Sequence, residues 1–254
     1  MNFSGKSSAG KVELADIDCN SSTLSIQQVT KDLSLDANFS TLTIGKVGNK
    51  ASLSLNSSSF ECGDLISLSM SGNFVRNCKV NNVDMADIEL NSSEFTANKV
   101  RVLKVKGINF STLRITEVND ASIAGASSSE FTFTKIALLK VAEGNFCNFS
   151  IGTLTELLLI NASSGDIKVD NVMPGFKNID IKGNFVTTGI KMAPNAEYSL
   201  FADLTFPDYD FGTLSLKKER NDLNHEVIRG QKGSPKAGIS LINLACQSCG
   251  ISIK

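Results

Sequence analysis

The sequence predicts an all-β fold, a single-stranded parallel β-helix (β-solenoid) that is completed by a C-terminal β cap. Three observations predict it: two sequence markers recur at one interval of about 36 residues, apolar residues alternate with small polar residues in many short runs, and no long run shows the helical spacing of apolar positions with capping residues. We therefore expect almost no helix in the chain.

The two markers keep the same interval along most of the chain. The first is an Asn-Phe dipeptide, whose phenylalanines are Phe39, Phe74, Phe110, Phe146 and Phe185, at intervals of 35, 36, 36 and 39 residues. The second is a pair of serines, whose second members are Ser22, Ser58, Ser93, Ser129 and Ser164, at intervals of 36, 35, 36 and 35 residues. Two independent markers in step indicate an internal repeat.

Short strands are predicted within each repeat. Apolar and small polar residues alternate in runs such as Leu24-Ser25-Ile26, Leu33-Ser34-Leu35 and Ile167-Lys168-Val169. A period of two places one set of side chains on each face of a strand. Asn, Gly, Ser and Asp separate these runs, and these residues tolerate the tight turns that join short strands.

Stacking is required because a short strand that is apolar on one side cannot form a core alone. In a solenoid each inward side chain rests on its equivalent in the next coil, at a spacing of about 4.8 Å. The interval of about 36 residues fits two coils of about 18 residues each. We expect the Phe of each Asn-Phe to form an internal aromatic stack and the Asn to turn the corner. Crossover chirality predicts a right-handed coil.

The repeat predicts a solenoid over residues 1–192 and a C-terminal β segment over residues 193–254 that closes it. Aromatic residues concentrate at the start of the second segment, and a charged stretch follows at residues 217–226, where we expect longer strands or a hairpin. Two runs, Ile239 to Leu244 and Ile251 to Ile253, return to the strand pattern. They are predicted to close the stack, because an uncovered sheet edge recruits other chains.

The charge balance excludes nucleic acid as the expected partner. The 254 residues include 25 Lys and Arg against 26 Asp and Glu, a formal net charge of −1, so the clustered positive charge that nucleic acids require is missing. No run approaches the roughly 18 apolar residues of a transmembrane helix. The first residues do not resemble a secretory signal. For a protein of the cell envelope or the extracellular space we expect a signal peptide to have been removed, and a cytoplasmic location stays open.

The cysteines are expected to be buried free thiols. They are Cys19, Cys62, Cys78, Cys147, Cys246 and Cys249. Five lie beside repeat markers or strands, where a buried Cys behaves as a small hydrophobic residue. The spacing Cys246-x-x-Cys249 leaves a local disulfide and a metal or redox motif as alternatives, although one pair falls short of the four ligands of a zinc site. We expect no metal and no cofactor.

One short segment is the candidate binding site. Asp208, Tyr209 and Asp210 form the only cluster of carboxylates and aromatic residues, with Asp203 and Glu197 close in sequence. Paired carboxylates can cleave glycosides or bind calcium. The alternative is that these side chains only point outward from an aromatic strand. His225, the single histidine, has no adjacent nucleophile, so we expect it in a solvated loop and predict no catalytic residue.

Asn-x-Ser sequences recur in phase with the repeat. Their asparagines are Asn20, Asn38, Asn56, Asn91, Asn109, Asn148 and Asn161. Such sequences are acceptors for N-glycosylation in secreted eukaryotic proteins. A corner Asn beside a Ser explains their phase more simply.

Three segments resemble bacterial β-solenoid families of adhesin type and unknown function, among them the head-GIN and auto-transporter adhesin types of Bacteroidetes. Ser163 to Val169 is similar to their small-small-Gly-Asp-Ile-x-Val unit, Met192 to Leu200 to their entry into the closing strands, and Ser248 to Ile253 to their final Gly-Ile-x-Ile coil. Most earlier repeats depart from the unit, with Phe60, Phe95 and Phe131 where those families often have Gly. The resemblance implies an envelope protein with an adhesive role and no catalytic residues.

The expected function is therefore a non-enzymatic interaction module of the cell envelope or surface. Its long faces, rich in Ser, Thr and Asn, would bind a polymeric partner, a glycan or another protein, along a row of regularly spaced polar groups. Two alternatives stay open. Parallel β-helices also host polysaccharide lyases and hydrolases, since fold does not determine function. Exposed coil ends could instead join, which would make the protein a self-assembling scaffold.

Overall fold

The computed structural model describes residues 2–234 and 240–254 and shows a parallel β-solenoid of about 10 turns. Strands make up 79% of the described residues, which contain no helix. The predicted fold class is therefore confirmed. The right-handed sense of the solenoid coil stays a prediction.

Twenty strands follow one another in the part of the chain that the structure describes. They are β1 (Asn2–Val12), β2 (Ala15–Val29), β3 (Leu33–Asn38), β4 (Thr41–Ile44), β5 (Lys50–Asn56), β6 (Ser59–Cys62), β7 (Leu65–Asn73), β8 (Asn77–Asn91), β9 (Glu94–Asn109), β10 (Thr112–Ile123), β11 (Ala126–Ser127), β12 (Glu130–Asn145), β13 (Asn148–Val172), β14 (Asn178–Met192), β15 (Tyr198–Thr205), β16 (Asp208–Asp210), β17 (Ser215–Asp222), β18 (His225–Lys232), β19 (Leu241–Gln247) and β20 (Gly250–Ile253). They form two compact units, Met1–Asn119 and 120–254, called here the N-terminal and the C-terminal unit. The predicted boundary after residue 192 stays a prediction.

Equivalent strands of the N-terminal unit pair in parallel and in register. Leu24 lies beside Leu42, Leu42 beside Phe60, and Phe60 beside Cys78. Each step advances the chain by 18 residues, so one interval of about 36 residues spans two rungs. The burial of alternate residues in these strands follows from the period of two, which directs every second side chain into the core.

Buried serines hold the corners of the rungs together. Ser58 is 2% exposed, and its hydroxyl donates to the backbone carbonyl of Asn56 (2.8 Å) and accepts from the backbone N–H of Ser40 in the preceding rung (3.0 Å). The same relation links Ser22 to Ser40 (3.1 Å). Each hydroxyl therefore satisfies a backbone group that the turn would otherwise leave buried and unpaired. This requirement accounts for the Asn-x-Ser sequences at Asn20, Asn38, Asn56, Asn91 and Asn109, whereas Asn148 and Asn161 lie within β13 and not at corners.

The prediction of an internal stack formed by the Asn-Phe phenylalanines is wrong. Phe39, Phe110 and Phe146 are 65%, 68% and 67% exposed, because the residue after each corner Asn adopts a left-handed backbone that breaks the in-out alternation. Other phenylalanines fill the interior. Phe131 and Phe149 of the C-terminal unit are buried and stack with ring centroids 4.7 Å apart.

The order of strands in space differs from their order in the chain near the C-terminal end. β19 lies between β14 and β15 and pairs with both in parallel. On its other edge β15 pairs with β18, which is antiparallel to β15 and to β17. The hairpin of β17 and β18 thus covers the sheet edge, while β19 completes an interior rung. Ile239, which was predicted to start this strand, lies outside the described residues.

We expect Ser58→Ala to lower the free energy of unfolding by about 1–3 kcal/mol, because the N–H of Ser40 would lose its buried acceptor. Ser54→Ala is the matched control, since Ser54 is an exposed serine on the same rung and its removal should change stability by less than about 0.5 kcal/mol. Urea unfolding of both variants measures the difference. Equal stability of the two variants would contradict the role assigned to Ser58.

Candidate binding surface

An asparagine column marks one corner of the N-terminal unit. Strand register places Asn20, Asn38, Asn56, Asn73, Asn91 and Asn109 one above another. The residues that follow them form a second column, in which Ser and Phe alternate: Ser21, Phe39, Ser57, Phe74, Ser92 and Phe110. We call this second set the N-terminal corner column. Its phenylalanines recur at every second rung.

The amides of the asparagine column are hydrogen-bonded in pairs. Asn56 Nδ2 donates to Asn38 Oδ1 at 3.2 Å, and Asn91 Nδ2 donates to Asn73 Oδ1 at 3.0 Å. In each pair the donor belongs to a rung with a corner Ser and the acceptor to a rung with a corner Phe. An amide has two donor hydrogens and two acceptor lone pairs, so each pair keeps capacity to bind a partner.

The C-terminal unit repeats the alternation in spatial order. Register stacks Ser127, Asn145, Ser163, Asn184, Gln247 and Thr205 in that order. The residues that follow them are the C-terminal corner column: Ser128, Phe146, Ser164, Phe185, Ser248 and Phe206. Phe206 is the next corner phenylalanine after Phe185 in the sequence. In space, however, β19 lies between their strands and places Ser248 between the two phenylalanines. Ser and Phe therefore alternate in spatial order, even where the order of the strands in the chain departs from their order in the sheet.

The corner phenylalanines occupy a backbone conformation that does not favour them. Their φ angles lie between 48° and 55°, in the left-handed region. A non-glycine residue there costs about 1–2 kcal/mol, and a bulky one is an outlier. The side chains gain little burial in return, because each of the six is more than half exposed. Local folding therefore does not explain why Phe stands at these positions.

A groove runs beside the C-terminal corner column. It has a volume of about 600 Å³, and its wall includes Asn145, Asn184, Thr205 and Gln247, each of which directly precedes a corner residue. Asn161, Glu143, Lys182 and Asp203 also line it. Amides and charges of both signs thus line a groove beside the C-terminal corner column.

A second groove lies on the outward face of the N-terminal unit. It has a volume of about 380 Å³ and is lined by serines and acidic residues, including Asp16, Asp18, Asp36, Ser52 and Ser54. These residues lie three to five positions before the corner residues in their rungs. The net negative charge of this face opposes a polyanionic partner.

The predicted binding segment, Asp208 to Asp210, forms β16, and the side chains of Tyr209 and Asp210 contact other parts of the fold. The Tyr209 hydroxyl donates to Glu226 at 2.7 Å, and burial raises its pKa. The backbone N–H of Gly212 (2.9 Å) and then the Lys254 ammonium (3.1 Å) lower the pKa of Asp210. Tyr209 therefore ties β16 to the hairpin. Whether the segment also binds a ligand stays a prediction.

His225, which was expected in a solvated loop, begins strand β18 and pairs with an acidic side chain of β15. Its Nε2 lies 2.6 Å from Asp203 Oδ1, and its side chain is partly buried rather than fully solvated. Across residues 2–234 and 240–254, no three His, Cys, Asp or Glu side chains cluster closely enough to hold a metal ion.

Four cysteines are buried free thiols, as predicted: Cys19, Cys62, Cys78 and Cys147. Burial raises the pKa of Cys62 to about 12, so its thiol is neutral and unreactive at physiological pH. Cys246 and Cys249 form a disulfide, which corrects the expectation of free thiols at this pair and agrees with the local disulfide that was left open. The bridge spans the corner at Ser248.

The family models, the curated proteins and the solved structures were all compared without a match. The resemblance to adhesin-type solenoids therefore stays a hypothesis. The described residues include no helix with the length and the apolar character of a membrane span.

The exposed corner columns are the feature that the sequence prediction missed. The Asn-Phe marker located every one of their phenylalanines except Phe206, but it was interpreted as internal packing. The signal that could have corrected it is the adjacent serine. Ser40, which follows Phe39, is buried, and only one of two successive side chains at such a corner can face the core.

Replacing Phe110 by Gly tests whether the ring supports the fold. We expect the free energy of unfolding to rise by about 0.5–1 kcal/mol, because Gly adopts the left-handed region freely. Leu113→Gly, at a fully buried position on the next strand, should instead lower it by several kcal/mol. Thermal unfolding compares the two variants. A large loss of stability in Phe110→Gly would show that the ring is structural.

Proposed function

We propose that this protein is a non-enzymatic interaction module that binds a polymeric partner along a face of the solenoid. One observation carries the proposal: chemically equivalent groups recur at every rung of the asparagine column, and Phe recurs at every second rung of both corner columns. A partner with its own regular repeat can occupy many such positions at once. Weak contacts then add to a firm attachment.

Binding rather than catalysis fits the chemistry of the repeated groups. Amides, hydroxyls and phenyl rings bind partners, but they do not exchange protons near neutral pH. The acidic residues of the N-terminal groove are partly neutralised, as Asp87 is by Lys106 at 3.0 Å. Such a surface supports the adhesion-like role that the resemblance implies.

A location in the cell envelope or outside the cell is part of the proposal. The disulfide between Cys246 and Cys249 supports it, because structural disulfides persist mainly in oxidising compartments. The second support is the resemblance to adhesin-type solenoids at Ser163 to Val169 and in the segments toward the C-terminal end.

Dependence on polymer length tests the proposed function. The purified protein is applied to immobilised polysaccharides and extended proteins, and competition by fragments of increasing length is measured for each polymer it retains. We expect fragments that span several rungs to compete at least about tenfold better than single units, since each added contact becomes intramolecular. Failure to retain any polymer, or equal competition by single units, would overturn the proposal.

Light scattering on the same sample distinguishes the scaffold alternative. A monodisperse monomer that binds a polymer supports the interaction module. Filaments that grow with protein concentration in the absence of a polymer would favour self-assembly through the solenoid ends.

A further inference from the structure

We propose that the two corner columns bind neutral β-1,4-linked polysaccharide chains laid along the stacking direction of the rungs. This inference rests on the proposed function, because it names the class of partner for the same surface. Each exposed phenyl ring stacks on one face of a pyranose ring, and the neighbouring amides bind the hydroxyl groups. Four properties of the columns support it.

The first property is the spacing of the rings. Phe39, Phe74 and Phe110 lie two rungs apart, which corresponds to about 9.6 Å between successive rings. In a β-1,4-linked chain successive pyranoses are turned over, so the same ring face recurs with every disaccharide. An extended disaccharide has nearly the length of two rungs. One aromatic ring per disaccharide therefore stays in step with the chain over a whole column.

The second property is the isolation of each ring. Within each column every Phe is separated from the next by a Ser, such as Ser57 or Ser92, and asparagines flank it in the N-terminal unit. A protein partner binds through a contiguous apolar centre with clustered anchors. The columns lack that continuity. A sugar requires the combination that is present, an apolar platform for its C–H face beside donors and acceptors for its hydroxyl groups.

The third property is charge. No corner-column residue of either unit is charged, and the groove of the C-terminal unit contains Glu143 and Asp203 against a single Lys182. The groove of the N-terminal unit is acidic. Polyanions such as pectate or teichoic acid would be repelled, whereas a neutral glycan is not.

The fourth property is the preservation of the two-rung spacing where the chain order changes. β19 is inserted between β14 and β15, and its corner residue is Ser248 rather than Phe. Phe185 and Phe206 are thereby kept two rungs apart although they are only 21 residues apart in sequence. Continuing the sequence interval of about 36 residues would not produce this arrangement, whereas the arrangement matches a ligand with a two-rung period.

Calorimetric titration with hexasaccharides tests the inference. Cellohexaose and chitohexaose are the β-1,4-linked probes, and maltohexaose, whose α-linkages curve the chain, is the control ligand. The variants are Phe39→Ser/Phe74→Ser/Phe110→Ser and Phe146→Ser/Phe185→Ser/Phe206→Ser, separately and combined. Ser is already the residue of the intervening corners with the same backbone conformation, so these variants are expected to fold.

We expect at least one β-1,4-linked probe to bind the unaltered protein and maltohexaose to bind at least about tenfold more weakly. The combined Phe→Ser variant should lose at least about tenfold in affinity for the β-1,4-linked probe. Leu14→Ser is the matched protein control, because Leu14 is 64% exposed and lies seven residues before the nearest corner residue, Ser21. It should bind as the unaltered protein does.

A reciprocal variant separates spacing from aromatic content. Ser57→Phe/Ser92→Phe places a ring at every rung between Phe39 and Phe110 and removes the two-rung period. We expect no gain, or a loss, in affinity for the β-1,4-linked probe. A gain would show that the columns bind through apolar area alone and would overturn the inference.

The remaining outcomes distinguish this inference from the proposed function. If polymers are retained but neither β-1,4-linked probe binds, or if the Phe→Ser variants bind these probes normally, the inference fails and the proposed function stands. If no polymer of any class is retained, both fail.

Discussion

In the N-terminal unit, most neighbouring rungs are tied together by a serine hydroxyl buried at the corner, at Ser40, Ser58, Ser93 and Ser111. The hydroxyl of Ser58 joins a carbonyl of its own rung to an N–H of the rung before it, and equivalent serines repeat the bond. The bond forms only if the rungs are in register and the preceding residue takes the left-handed conformation. At these corners, pairing the buried backbone N–H requires the serine to face the core, and the residue before it then points outward.

Strict register converts a short sequence motif into a linear surface. The residue before the buried serine must face outward, whatever its chemistry, so the position is available for function without affecting the core. Most proteins place small residues at left-handed positions, because those residues have the lowest steric cost there. Here Phe occupies every second such position in each column, and its rings are exposed. The surface therefore carries a pattern that folding did not require.

The sequence predicted the strands and their stacking because both depend on local patterns. Alternation at Leu33 to Leu35 fixes a strand face, and the intervals between Asn-Phe dipeptides fix the rung length. The predicted burial of Phe39 was wrong because it was inferred from the hydrophobicity of the side chain. The left-handed backbone at Phe39 instead directs the ring outward. The position of β19 depends on pairing across about 60 residues with Asn178 and its neighbours, and no local pattern encodes such a contact. The Cys246–Cys249 bridge was recognised from spacing only as an alternative.

The insertion of β19 between β14 and β15 has a consequence for the order of assembly during synthesis. β14, β15 and the hairpin that covers β15 all leave the ribosome before β19 does. The two strands cannot adopt their final separation on their own, because nothing yet occupies the rung between them. The nascent chain must keep that gap open or reopen it when β19 emerges. The rung between β14 and β15 therefore closes only after β19 has been synthesised.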